Sequence, residues 1–331
     1  MVRSRTRLLA VCAALAAVVM VAAGCSSSSE KSDGEVVGSV DRGPTTEVRE
    51  SGDGLRVVAL GWSDGEIALS LGVKPVAIYD WMGFGEENKG VGSWAADEFG
   101  DDSPTVIKNA GTTYNYEQIE LLEPDLILNV RASGDSKVFD RLSQIAPVAS
   151  APEGTPDFAV NWRKQTEVIG KALGKTEEAK TAVADTDSKI TEAKNANPSF
   201  AGKTFVYGAK FGDAYGAYIP GDARFDVFSE LGFAPYKPVE DLKTSGFFVN
   251  VPAEKVTALD SQVAVFTTIS KPLSDLTSDR LINSLPVVRD KRALLLDEND
   301  PINQGLAAGT PQSIAIAVGD VTPKLAAITD R

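Results

Sequence analysis

The feature that most constrains this 331-residue chain is that its body repeats itself. Residues 66–75 (EIALSLGVKP) are echoed by residues 226–235 (DVFSELGFAP), and residues 117–130 (EQIELLEPDLILNV) by residues 254–267 (EKVTALDSQVAVFT), in the same order. The first motif is a short amphipathic helix closed by glycine, with proline just beyond, the usual grammar of a helix end. The second is a short helix feeding a run of continuous apolar residues. Continuous apolarity, unlike alternation, predicts strands buried on both faces, as in a parallel sheet flanked by helices. Further strands are expected at Leu55–Leu60, Val76–Tyr79, Thr204–Tyr207 and Ala293–Leu296. Strand–helix alternation written twice predicts an α/β chain of two Rossmann-like lobes of related plan.

The spacing of the copies differs. The first motif recurs after 160 residues and the second after 137, which places 23 extra residues in the first lobe. Asp80 to Asp102 is the natural location, a glycine-rich stretch with Trp81, Phe84, Trp94 and Phe99. Such an insert after a strand is either a ligand-facing loop or an embellishment packed on its own lobe. Between the lobes, Gly174 ends one helix and Thr176, as N-cap, opens another that runs to about Asn195, before Pro198. About 20 residues of helix span about 30 Å, so a single long helix is expected as a stiff strut. The lobes are therefore assigned to residues 54–173 and 198–331, with the connecting helix at 174–197.

The amino-terminal end fixes the compartment. Arg3, Arg5 and Arg7 precede an uncharged apolar run of 16 residues, Leu8 to Ala23, too short for a comfortable span and typical of a signal peptide. It closes on Ala22-Ala23-Gly24-Cys25, which resembles a bacterial lipobox with Ala22 in place of the usual leucine. Residues 1–24 are read as a lipoprotein signal and Cys25 as the lipidated first residue of the mature chain, with acyl groups such as palmitate. An ordinary cleavable signal with an incidental cysteine is the alternative. The other cysteine, Cys12, lies inside the signal, so the mature chain can form no internal disulfide. Residues 25–53, rich in Ser, Gly, Asp, Glu and Thr, are read as a flexible tether.

Loss of the signal's three basic residues takes the net charge from −13 to −16. That acidity argues against nucleic acid as a partner. The chain has no histidine, which argues against direct zinc capture and histidine-ligated haem and removes the commonest general base. No nucleophile elbow, phosphate-binding glycine loop or cysteine–metal spacing occurs, so no catalytic residue and no protein-held metal is assigned.

Arg56–Leu60, Ala68–Val76, Tyr116–Leu128, and Leu285–Arg289 followed by Arg292–Leu296, taken in order, resemble the helical-backbone substrate-binding lipoproteins of ABC importers for siderophores, haem and cobalamin. The resemblance spans roughly residues 55–328. It implies a ligand cleft between lobes that move little, suited to a bulky metal chelate. It further implies a non-enzyme, a monomer on the outer face of the cytoplasmic membrane, and a permease dimer as partner. The expected ligand is a ferric siderophore that brings its own Fe3+. Few arginines favour a hydroxamate or mixed type over a tris-catecholate. Cobalamin or haem is the alternative within the fold, and a secreted hydrolase the alternative outside it.

Ligands of open α/β sheets bind beyond the carboxyl ends of the strands. That rule nominates Trp62, Trp81 and Arg131 in the first lobe. In the second it nominates Phe211, Tyr215 and Tyr218, the loop with Phe247 and Phe248, Lys271, and Asn299 to Asn303. Phe248 lies six residues before Glu254, a spacing at which cobalamin receptors of the family place a pocket aromatic. Arg224 either faces the ligand or caps its own helix. The resemblance assigns Glu117 and Glu254, equivalent in the repeat, to docking on permease arginines; placement of an acid in a helix's first turn explains them equally. Glu66 and Asp226 form a second symmetric acid pair.

Overall fold

The computed structural model describes residues 34–52, 54–111, 113–242 and 245–329. The signal segment, Cys25 and the start of the expected tether lie outside them. The described chain begins with an antiparallel hairpin, β1 (Val36–Asp41) and β2 (Thr45–Arg49). It continues through β3 (Val57–Ala59), α1 (Asp64–Ser70), β4 (Ala77–Asp80), β5 (Thr105–Lys108), α2 (Tyr116–Leu121), β6 (Leu126–Asn129), α3 (Ser136–Leu142) and β7 (Val148–Ser150). Strands β3 to β7 form one all-parallel sheet in the order β5-β4-β3-β6-β7. Every residue of β3, β4 and β6 is buried, as the unbroken apolar runs predict.

The hairpin corrects the tether. Residues 34–52 are not a free linker: Val48 is fully buried and, with Val40, joins the first lobe's core. Composition hid this, because the segment's apolar content is four valines set among threonine and glycine, yet β-branched residues suit a strand that docks on an existing surface. Gly38 lies so close to the Ala172 carbonyl that a Cβ would meet its oxygen at 2.2 Å. Lys171 pairs with Asp41 across the same contact.

The lobes are linked through α4 (Trp162–Ala172) and the long α5 (Thr176–Ala196), which turn at Gly174 with φ of 68°, as the sequence predicts. Lys175, not Thr176, occupies the N-cap of α5 and makes no side-chain cap bond. The 21 residues of α5 run about 30 Å. Its thin apolar stripe serves two cores in turn: Ala179 and Ala182 pack in the first lobe, Val183, Ile190 and Ala193 in the second. That division is what makes the helix a strut.

The second lobe runs β8 (Thr204–Phe211), β9 (Ala214–Tyr218), α6 (Ala223–Glu230), β10 (Ala234–Pro235), α7 (Lys237–Glu240), β11 (Phe248–Val251), β12 (Val263–Thr268), α8 (Leu273–Thr277), α9 (Arg280–Ser284), α10 (Pro286–Arg289), β13 (Ala293–Leu296), α11 (Pro301–Ala308) and α12 (Pro311–Thr329). Its parallel part, β10-β8-β12-β13, repeats the order β4-β3-β6-β7 of the first lobe. The repeat read in the sequence is thus a repeat of topology. The sheet is nevertheless mixed, because β9 and β11 add antiparallel. The two-residue Gly212–Asp213 connection between β8 and β9 allows nothing else, since a parallel neighbour needs a long crossover.

Candidate functional site

A cavity of about 500 Å³ opens between the lobes. Trp62, Trp81 and Met82 line it from the first lobe, just beyond β3 and β4. The second lobe contributes Tyr218, Arg224, Phe247 and Phe248, then Thr267 to Ser270 at the end of β12, and Glu298, Asn299, Asn303, Gln304 and Ala307 beyond β13. Trp62 is held at both backbone groups. Its N–H donates to the Arg131 carbonyl at 2.8 Å, and its carbonyl accepts from Gln165 Nε2 at 2.8 Å. Its ring stacks on Trp81 (centroids 4.6 Å apart, 9° between planes) and on Phe158 (4.3 Å), while Phe247 meets it edge-on at 6.4 Å. Asp80 accepts from the N–H groups of Phe84 and Gly85 at 2.8 and 2.9 Å, fixing the turn that presents Trp81 and Met82. The result is a broad aromatic wall, with amides and hydroxyls opposite.

Among the described residues, one arginine lines the cavity. Arg224 donates through Nε and Nη2 to Asp222 at 2.7 and 2.8 Å and lies 3.5 Å from the Tyr218 ring centroid. Burial opposes its charge, but Asp222 and Tyr218 outweigh that and hold its pKa above the ordinary arginine value. Tyr218 moves up as well, chiefly through burial, with Arg224 opposing. Arg131 is different. It is 3% exposed and does not line the cavity. Its guanidinium crosses to the second lobe, donating to the Ala307 and Ala308 carbonyls at 2.9 and 3.1 Å and to Asp222 at 3.5 Å. Those carbonyls end α11, where a helix has unmatched acceptors and a negative dipole end. The strand-end rule placed Arg131 beside the cleft correctly; the helix end then captured it below the wall, 5.6 Å from the Trp62 ring and 5.8 Å from Trp81.

The family model for periplasmic binding proteins matches residues 57–299, which span both lobes and every cavity residue before Asn303. The chain belongs to the periplasmic binding protein family. Its two α/β lobes on a helical backbone make it one of the helical-backbone solute-binding proteins of ABC importers, a family that binds and delivers and does not catalyse. It is 27% identical over 302 residues to "Probable siderophore-binding lipoprotein YfiY" of Bacillus subtilis, covering 85% of this chain and 87% of that one. It is also 27% identical over 269 residues to the Bacillus subtilis "Fe(3+)-citrate-binding protein YfmC", covering 78% of each. A periplasmic solute-binding protein from Mycobacterium smegmatis superposes with a TM-score of 0.75 at 25% identity, over 90% of this chain and all of the other.

The remaining expectations for this periplasmic binding protein divide clearly. Trp62, Trp81, Tyr218, Phe247, Phe248, Asn299 and Asn303 line the cavity. Tyr215 does not. It stands three residues from Tyr218 on one strand, hence on the opposite face, where its hydroxyl donates to Asp279 at 2.7 Å. Phe211 packs 5.8 Å from Phe248 without reaching the lining, and Lys271 is exposed outside it. The insert settles both ways: Trp81 and Met82 face the cavity, while Phe84, Trp94 and Phe99 pack on their own lobe. Glu66 and Asp226 cannot be a docking pair. Glu66 is buried against the Gly92 N–H at 2.8 Å, and Asp226 accepts from Asn161 and Gly221 at 3.0 and 3.2 Å. Burial raises both, Glu66 to about 7 and Asp226 to about 6. Glu117 and Glu254 are exposed in the first turns of α2 and of a 3₁₀ segment, Ala253–Leu259, and neither is ion-paired among the described residues. Thr267 to Ser270 were missed although the same strand-end rule, applied to the strand ending at Thr267, would have found them. Among the described residues no group of three His, Cys, Asp or Glu side chains could hold a metal.

Proposed function

We propose that this protein captures a ferric siderophore of hydroxamate or mixed type in the interlobe cavity and hands it to an ABC permease. The observation that carries this reading is the cavity's build: a two-tryptophan wall facing one guanidinium and a rim of amides and hydroxyls. Flat aromatic faces suit the apolar flanks of a chelate, and the guanidinium N–H groups of Arg224 not committed to Asp222 suit hydroxamate oxygens. The similarity to YfiY supports a siderophore as cargo. Iron enters this reading as cargo within its chelate, and the described residues offer no His, Cys, Asp or Glu cluster to hold it directly. Haem fits less well, since iron ligation by Tyr218 asks for an easily ionised phenol and burial pushes this one the other way. Cys25 as the lipid anchor, Glu117 and Glu254 as the docking acids, and a monomeric state belong to the same proposal.

Titration of the body with a ferric trishydroxamate, a ferric tris-catecholate, cobalamin and haemin, followed by tryptophan fluorescence, tests it. Saturable quenching by the trishydroxamate is expected, weakened about tenfold in Arg224→Lys, which keeps the charge but loses the guanidinium donors left over from Asp222. Saturation only by cobalamin or haemin would sink the siderophore reading.

A further inference from the structure

The turn between β13 and α11 places three carboxylates in four residues, Asp297, Glu298 and Asp300. Two of them serve the backbone. Asp297 accepts from the N–H groups of Asn299 and Leu273 at 2.9 and 3.3 Å, and Asp300 caps α11 through the Ile302 N–H at 2.9 Å. Glu298 lines the cavity. One of its oxygens accepts from the Ser270 N–H, which anchors it to the end of β12, and no cation pairs with it among the described residues. Arg224 is the one cation among the described lining residues, and its charge is already matched by the buried Asp222. Arg131, behind the wall, faces Asp222 too. Glu298 is the one acid among the described lining residues, and no salt bridge takes up its charge.

Resting on the siderophore reading above, we propose that Glu298 determines specificity by pairing with a protonated amine carried on the chelate, and so selects cationic ferric trishydroxamates over neutral and anionic chelates. A carboxylate tethered at one oxygen and free at the other is pre-set to receive an ammonium, and the same charge repels a trianionic catecholate. Asn299 and Gln304, beside it on the lining, supply neutral groups that can complete an ammonium's hydrogen bonds.

The test compares ferrioxamine B, a ferric trishydroxamate with a pendant ammonium, with its N-acetylated form, in which a neutral acetamide replaces that ammonium. The wild type should bind the ammonium form about fivefold more tightly, with the margin shrinking as salt rises. In Glu298→Gln the margin between the two forms should vanish, with the larger loss of affinity falling on the ammonium form, and an unchanged melting temperature will show that the fold is kept. Equal affinity of the wild type for both forms, or a margin that survives in Glu298→Gln, overturns the role of Glu298 and leaves the siderophore reading standing. Failure of both forms to bind overturns the hydroxamate reading and this proposal with it.

Discussion

Glu66 and Asp226 hold equivalent positions in the repeat; Glu66 is buried and Asp226 half-buried. With Asp64, fully buried beneath the Val130 and Arg131 N–H groups and raised to about 6, they are carboxyls that burial makes reluctant to ionise. A raised native pKa means that the folded chain keeps protons the unfolded chain has released. Stability from these groups is therefore complete below about pH 4 and is lost as pH rises through 6 to 7. The melting temperature should rise as pH falls from 8 to 5. Glu66→Gln should flatten that slope and stabilise the protein at pH 8 by on the order of 3 kcal/mol, converging with the wild type near pH 4. An identical slope in the variant would remove Glu66 from the account. At this scale, strand-end position was legible in the sequence for Trp62, Trp81 and the Phe247–Phe248 pair. Side-chain direction was not: Tyr215 needed the register of β9, and Arg131 needed α11, a partner 176 residues away.

Among the elements, the hairpin is the clearest departure from composition. Its worth lies in Val48, which fills the first lobe's core from outside the sheet. Val48→Asp puts a charge there without a partner and should cost at least ~3 kcal/mol, read as a lower urea midpoint. A variant that unfolds like the wild type would make the hairpin incidental. The parallel strands and the helices feeding them were legible because continuous apolar runs have one common explanation. Strand β10 was not, being two residues long, and the β9 and β11 additions were not, because short strands with aromatic and glycine content carry no distinctive period.

In the molecule as a whole, the repeat sets one exposed acid on each lobe, Glu117 and Glu254. Glu117→Arg combined with Glu254→Arg should leave ligand affinity within about twofold while abolishing permease-dependent uptake, with each single change intermediate. Uptake at the wild-type rate by the double variant would remove these acids from docking. The lobes themselves are tied at three levels: by α5, by the Arg163 ion pairs to Asp187 and Glu230, and by Arg131 reaching across to the end of α11. This last bond has a consequence for communication. A receptor whose halves are bolted beneath its binding wall has little closure with which to announce that it is full. Under the function proposed above, loaded and empty forms should offer a permease almost the same outline, so that the distinguishing message would be the chelate's own face at the mouth of the cleft.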